Sequence, residues 1–410
     1  MSAEKVAIVG GGATGDAAAF ALRKRGFDGQ ISLVSADPDR PYDRPYLSKE
    51  FLRGEVEARK VFLHEEDEYS KQRIELHLAT TVTGGSIADK KLSLDGGQNI
   101  RFDVLVLGLG GTPRRLPDAP QADNVLTLRS FRDSDAIRQA FATSSRLLVV
   151  GAGFIGAEVA ASARGLGKHV LMLEAASVPL ARALGQEVGQ VYASIHRAKG
   201  VDLRTATTVK HWHSSGKRVS GVTLSDESQH EVDLVLMAVG IAPNLDLPKA
   251  LGLPLDGGGV SVDGGLRAAA GVYVGGDVAF HAHPVFGRHI RVEHWEVGKG
   301  HGRGIAAAIV GDDAPYSKLP YFWSDQYDVG LEYRGHASGE DVAVWRGDRE
   351  GLAFSVFYLR EGAVEAVLSM NDKKTNELGG KLIESRKPVD AAALANLDVE
   401  LASLLPPSPS

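Results

Sequence analysis

The chain has 410 residues, 43% hydrophobic and 24% charged, with a formal net charge of −6 and no cysteine. That size and balance are ordinary for a soluble globular protein of two or three domains, and the acidic balance argues against nucleic acid or an anionic membrane as principal partner. Without cysteine the chain can form no disulfide, thiolate metal site, ligated cluster or redox-active cysteine pair, which is in keeping with a reducing, cytoplasmic setting.

Met1-Ser2-Ala3-Glu4-Lys5 leads directly into Val6-Ala7-Ile8-Val9, an apolar run too short for a signal core, and no run approaches membrane-spanning length. The strand runs into Gly10-Gly11-Gly12-Ala13-Thr14-Gly15. A helix carrying Ala17, Ala18, Ala21 and Leu22 then ends before Gly26, and Ile31-Ser32-Leu33-Val34 is the next strand. A loop rich in proline and charge spans Asp37 to Lys49, and the strand Asp103–Leu107 runs into Gly108-Leu109-Gly110-Gly111.

A second unit opens at Arg146. Leu147-Leu148-Val149-Val150 precedes Gly151-Ala152-Gly153-Phe154-Ile155-Gly156, a helix follows Gly156, and the strand His169–Leu173 ends at Glu174. Asp233–Gly240 repeats the strand-to-glycine pattern of residues 103–110, and Gly271–Asp277 is a further buried strand with its turn. From Pro320 onward Val342–Trp345, Leu352–Tyr358 and Val364–Leu368 read as antiparallel strands turning at Gly351 and Gly362. The tail Pro406-Pro407-Ser408-Pro409-Ser410 reads as a loose end.

Each glycine motif has the flanks of a dinucleotide fingerprint. Gly10 and Gly151 make the tight turn, and Gly12 and Gly153 let backbone approach pyrophosphate. Gly15 and Gly156 let helix pack on strand, with the N-terminal residues Ala13 or Phe154 and Ile155 facing the anion. Two such sites on one chain point to a flavin and a nicotinamide brought together for hydride transfer. Roughly twenty residues after each motif an acid should bind ribose hydroxyls. Glu174 fills that place in the second unit and, with no cation in Ala175-Ala176-Ser177, favours NADH over NADPH. In the first unit Asp37 is the nearest acid.

The stretch Pro41-Tyr42-Asp43-Arg44-Pro45-Tyr46-Leu47-Ser48-Lys49 completes a wider pattern. With it go Gly10–Gly15, Thr112-Pro113-Arg114, Leu128-Arg129, Gly151–Glu158, Gly240 with Pro243-Asn244, Gly276-Asp277, Glu293-His294-Trp295 and Phe322-Trp323-Ser324-Asp325-Gln326. The chain resembles the pyridine-nucleotide FAD reductases that serve iron-sulfur carriers, the ferredoxin and rubredoxin reductases of dioxygenase type. It also resembles their relative, apoptosis-inducing factor. The resemblance implies an α/β, glutathione-reductase-like fold: an FAD-binding domain at 1–112 and 240–319, an NADH-binding domain at 113–239 and a small α+β domain at 320–410.

It also implies roles. Arg44 would meet phosphate or ribityl oxygens, Lys49 would lie near the flavin ring and pair with Glu158, and Asp277 would accept from the ribityl chain. Trp295 would contact the ring, Arg129 would be a further flavin neighbour, and Lys49 with Glu158 would be the catalytic pair. A lysine suits a ring that gains negative charge on reduction. The implied activity is electron transfer from NADH through FAD to a separate iron-sulfur carrier protein, ferredoxin or rubredoxin, with a homodimer as a candidate assembly. The rival is a redox-gated binding protein like apoptosis-inducing factor. The chain departs from the family at Gly108-Leu109-Gly110, usually alanine-threonine-glycine, and at Val297-Gly298 and His301, while Leu368–Asn371 is closer to the apoptosis-inducing-factor branch. The paired histidines His211/His213 and His281/His283 lack a third ligand at a recognisable spacing, so no metal is expected.

Overall fold

Lys5–Val9 lies at the centre of a six-stranded sheet, parallel to Gln30–Val34 on one side and Val104–Leu107 on the other. Ile74–His77 and Val272–Val274 extend it in parallel, and Arg267–Ala269 closes one edge antiparallel. Ala7, Ile8, Ile31, Leu33, Leu105 and Leu107 are wholly buried, as strands covered on both faces require. Val9 is in register with both Val34 and Leu107, so the three strands end level and open a crevice where the chain reverses direction across the sheet. The computed structural model describes residues 4–406; the start at 1–3, and all but Pro406 of the loose tail expected at 406–410, lie outside the described residues.

The second unit repeats this plan. Arg146–Val150 runs between His169–Leu173 and Leu234–Met237, with Asp202–Arg204 and Val125–Thr127 outermost, all parallel. Each unit also carries a three-stranded antiparallel meander before its returning strand: Val82–Ser86, Lys91–Leu94 and Asn99–Arg101 in the first, Val209–Ser215, Arg218–Leu224 and Gln229–Glu231 in the second. Gly111–Pro113 and Ile241–Pro243 pair antiparallel where the chain leaves one unit and returns to it.

The last unit is a five-stranded antiparallel sheet in the order Tyr321–Gln326, Val329–Gly335, Ala363–Met370, Ala353–Arg360 and Val342–Asp348, backed by the helix Lys373–Ser385. Its first hairpin was not expected. It turns at Tyr327, which holds φ +58° without being glycine, so the usual punctuation is missing. The hairpin at Glu361-Gly362 has both central residues at positive φ, as a two-residue turn of this twist needs.

Glycine also sets the tightest helix crossing, between Ala13–Lys24 and Trp295–Ile309. A β-carbon on Gly302 would lie 2.3 Å from the carbonyl oxygen of Thr14. Thr14 itself fills the room left by Gly108, Gly275, Gly276 and Gly298, each within about 3 Å of one of its side-chain atoms if given a β-carbon. That packing is a physical reason for glycine at 108, where the resemblance leads to alanine. Among the described residues no helix is long and apolar enough to cross a membrane.

Candidate active site

In both fingerprints the glycines divide by duty. Gly10 (φ +114°) and Gly151 (φ +99°) sit in backbone conformations closed to other residues, and a β-carbon there would strike the carbonyl of Gly108 or Ala238. Gly15 and Gly156 are helix-packing positions; a β-carbon would come within 1.9 and 2.0 Å of the Gly10 and Gly151 carbonyls. Gly12 and Gly153 differ. Each caps its helix in extended conformation, Gly153 has nothing within 4 Å of its β-carbon position, and Gly12 has only the Arg44 guanidinium at 3.8 Å. Protein packing does not require glycine at these two, whereas close approach of a pyrophosphate does. The second helix starts at Phe154, three residues before the expected point, so Gly153 is its cap and Phe154 and Ile155 present the free N–H groups. Ile155 is 44% exposed.

The charges around the first turn suit an anion. Arg44, at the start of the 3-10 helix Arg44–Ser48, is ringed by protein, and burial followed by the charge of Arg129 lowers its pKa. Arg129 is half-buried and donates to the Asp277 carboxylate at 2.8 Å. Asp37 follows the level strand end at Val34, accepting from the Tyr42 hydroxyl at 2.6 Å and from the Asp39 N–H. Trp295 opens the helix capped by His294. At the second turn the Glu174 carboxylate accepts from the N–H groups of Ala152 and Ala176, both at 2.9 Å. The acid is thereby fixed against the glycine turn with lone pairs to spare.

Lys49 of the first unit meets Glu158 of the second as a buried pair, N···O 3.7 Å, with side chains 6% and 7% exposed. Three segments build it. Lys49 ends the Arg44–Ser48 turn, Glu158 lies in the first turns of the Phe154 helix, and the strand Tyr321–Gln326 supplies Ser324. Ser48 Oγ donates to Glu158 Oε2 at 2.5 Å and Ser324 Oγ to Oε1 at 2.7 Å. Burial pushes the Glu158 carboxyl above the ordinary range, while Lys49 and the two hydroxyls pull it back. The Trp323 ring lies 5.7 Å from the Lys49 ammonium, and Phe154, His294, Phe322 and Tyr333 form an adjoining aromatic run.

Sequence reasoning assigned no role to Ser48, Ser324, Gln326, His196 or Tyr327. Gln326 Nε2 donates to Ser324 Oγ, Gln326 Oε1 meets His196 Nε2, and His196 Nδ1 meets the Tyr327 hydroxyl. An open cleft of about 540 Å³ beyond Trp323 is bordered by Glu296, Asp325, Glu332 and Asp372; four carboxylates make it unfit for a dinucleotide phosphate. Among the described residues no group of three or more histidine or acidic side chains could hold a metal ion. Nearby, Arg132 pairs with Asp39 at 2.8 Å.

Two open glycine turns on two parallel sheets, with one buried ammonium–carboxylate pair joining their units, define a two-dinucleotide oxidoreductase. The chain belongs to the pyridine nucleotide-disulphide oxidoreductase family, whose model matches residues 4–302; a reductase C-terminal domain matches 321–405. It is 36% identical over 401 residues to the 5,5'-dehydrodivanillate O-demethylase ferredoxin reductase subunit of a Sphingobium species, covering 97% of each chain. It is 34% identical over 408 residues to the ferredoxin–NAD(+) reductase component of the anthranilate 1,2-dioxygenase system of Burkholderia cepacia, covering 99% of this chain and 100% of that one. Among solved structures, the covalent putidaredoxin reductase–putidaredoxin complex superposes with a TM-score of 0.94 at 34% identity, covering 98% of each chain. Despite the family's title the chain has no cysteine, so disulfide chemistry within it is excluded.

Proposed function

We propose that this protein is an NADH-dependent ferredoxin reductase that holds FAD at the Gly10–Gly15 turn and NADH at the Gly151–Gly156 turn. It passes electrons to a separate one-electron iron-sulfur carrier, a ferredoxin, Rieske-type ferredoxin or rubredoxin. The single observation that carries this reading is the pair of unobstructed glycine caps, Gly12 and Gly153, on two parallel sheets whose units meet in the buried Lys49–Glu158 pair. The near full-length likeness to reductase components of oxygenase systems favours turnover over redox-gated association. FAD, when bound, supplies the ability to take a hydride and release its electrons singly.

The chain supplies binding and charge. Gly12 and the N–H groups at the head of the Ala13 helix receive the pyrophosphate, and Arg44 neutralises it. Asp37 takes the adenosine ribose of FAD, and Glu174 that of NADH, disfavouring a 2′-phosphate by like charge. Asp277, held by Arg129, and Trp295 line the flavin side. Lys49, fixed by Glu158, stabilises negative charge gained there on reduction. We set the domain limits at 112/113, 239/240 and 319/320, a reading supported by the two crossings and the change to an antiparallel sheet, and we place the protein in the cytoplasm.

The test is anaerobic. Purified protein should be yellow, bleach on NADH well before equal NADPH, and reduce cluster proteins from a panel of ferredoxins and rubredoxins. A colourless folded protein that refuses FAD would end the proposal. So would a flavoprotein that bleaches yet passes electrons to no cluster protein, as far as the acceptor is concerned.

A further inference from the structure

His196, Ser324 and Gln326 have no exposed surface at all, and their side chains link Tyr327 to Glu158 without a break. The direction of every link can be worked out. Gln326 Oε1 can only accept, so His196 Nε2 carries the hydrogen of that 2.9 Å contact. The imidazole is neutral, since burial lowers its pKa to about 4, so Nδ1 is an acceptor and the Tyr327 hydroxyl, 2.9 Å away, must donate to it. The Gln326 amide N–H occupies a lone pair of Ser324 Oγ at 3.1 Å, and the one Ser324 hydrogen then goes to Glu158 Oε1 at 2.7 Å. Each hydrogen points toward the carboxylate.

The opposite polarity fails in a specific way. Were His196 protonated on Nδ1, the Gln326 amide would have to turn over, and Ser324 would give its hydrogen to the Gln326 carbonyl. Glu158 would lose one of its two hydroxyl donors. The ionised Glu158, which can only accept, therefore fixes the tautomer from its own end, and the Tyr327 hydroxyl meets it by donating to Nδ1.

We propose that Tyr327, His196, Gln326 and Ser324 form a one-way positioning chain that keeps Glu158 ionised and fixed, and through it holds the Lys49 ammonium in place for the flavin. The inference rests on the reading of Lys49 given above. Other charges face the chain. Asp325 raises the Glu158 carboxyl at longer range, Lys49 lowers it, and Tyr192 is pushed up by burial first and then by Glu158 and Asp325. At the outer end Lys199 lies over the Tyr327 ring and Arg164 acts on its hydroxyl.

The experiment is the pH dependence of the flavin midpoint potential of the holoprotein. Glu158→Gln identifies the inflection that belongs to Glu158 by abolishing it. Ser324→Ala and His196→Phe should move that inflection to higher pH by about one unit, a tenfold change in the acid dissociation constant, as loss of a hydrogen bond to a charged group implies. His196→Gln, whose amide can still donate to Gln326 and accept from Tyr327, should restore it. Should His196→Phe fail to fold, Ser324→Ala, which removes one oxygen atom, and Tyr327→Phe carry the same comparison. An unmoved inflection in folded, FAD-loaded Ser324→Ala and Tyr327→Phe, with Glu158→Gln still effective, overturns the chain and leaves the flavin reading standing. If neither Glu158→Gln nor Lys49→Met alters the potential at any pH, the reading of the pair itself fails, and the chain with it.

Discussion

Removing the Lys49 ammonium tests whether the buried pair is one energetic unit. Unit charges 3.7 Å apart attract by about 4 kcal/mol at an effective dielectric of about 20, and the cost of burying both offsets part of this. Breaking such a pair from one side leaves a buried charge alone and typically costs about 3–5 kcal/mol. Lys49→Met and Glu158→Gln should each fall in that range, whereas Lys49→Met/Glu158→Gln should cost less than their sum by at least about 2 kcal/mol. The single Lys49→Met loss should also depend on pH with a definite sign. Burial holds the Glu158 carboxyl above its unfolded range; without Lys49 nothing charged opposes that rise. The folded state then keeps a proton that the unfolded chain has released, so the variant's stability falls as pH rises above the ordinary glutamate range. Urea unfolding at saturating FAD, followed by far-UV dichroism and flavin release from pH 5 to pH 8, reads both effects. Costs that add within about 0.5 kcal/mol, with no pH slope beyond that of wild type, would refute the coupling.

Three further outcomes follow from the geometry. Gly153→Ala should fold and melt like wild type yet bind NADH roughly tenfold more weakly or worse, because its β-carbon meets no protein atom but stands in the path assigned to pyrophosphate; Gly156→Ala should lower the melting temperature, and equal affinity for NADH in Gly153→Ala would count against the assignment. Glu174→Ala removes an acceptor serving two backbone N–H groups and the expected ribose, so NADH efficiency should drop by roughly 10–100-fold and the NADH/NADPH ratio of kcat/KM should narrow; an unchanged ratio speaks against it. His196 and His283 are buried neutral, each lowered to about 4 mainly by burial. Between about pH 6.5 and 4 the unfolded chain therefore binds more protons, and stability should fall with acid across that window by up to about 3 kcal/mol per histidine; an acid limb shallower in His196→Gln than in wild type checks the contribution of that site, and an equal slope refutes it.

What the sequence made legible was whatever repeats locally. The parallel strands appear as unbroken apolar runs, the turns as glycine at fixed offsets, and Glu174 as an acid at the end of the right strand. Strands such as Ile31–Val34 and His169–Leu173 are found where their residues place them. The Tyr321–Gly335 hairpin went unread because Tyr327 makes the turn without glycine or proline. The partners of Glu158 were illegible for another reason. Ser48, Ser324, Gln326 and His196 have no spacing in common; His196 and Gln326 are separated by 130 positions, and only the docking of separate sheets brings them together. A signal was present in the stretch Phe322–Gln326, quoted for its likeness but given no chemistry, where serine and glutamine alternate with exposed aspartate on one strand. Arg129 shows the same limit. Its place beside the flavin was implied by the resemblance, but its bond to Asp277, 148 positions away, was not readable.

The location of the carboxylate explains why three units are needed where two would bind the nucleotides. Glu158 belongs to the Phe154–Gly165 helix of the second unit, Ser48 to the Arg44–Ser48 turn of the first and Ser324 to the last sheet. A shift of any one of the three by the length of a hydrogen bond leaves a buried carboxylate short of a donor, which costs more than an ordinary surface contact could return. The two glycine turns can each exist alone, since each is closed by its own strand and helix. The ammonium between them cannot, because its counter-charge is completed only when all three units are docked. Charge at the flavin side is thereby tied to the assembled arrangement, and a chain whose last sheet is displaced should keep its nucleotides while losing control of the potential at which electrons leave.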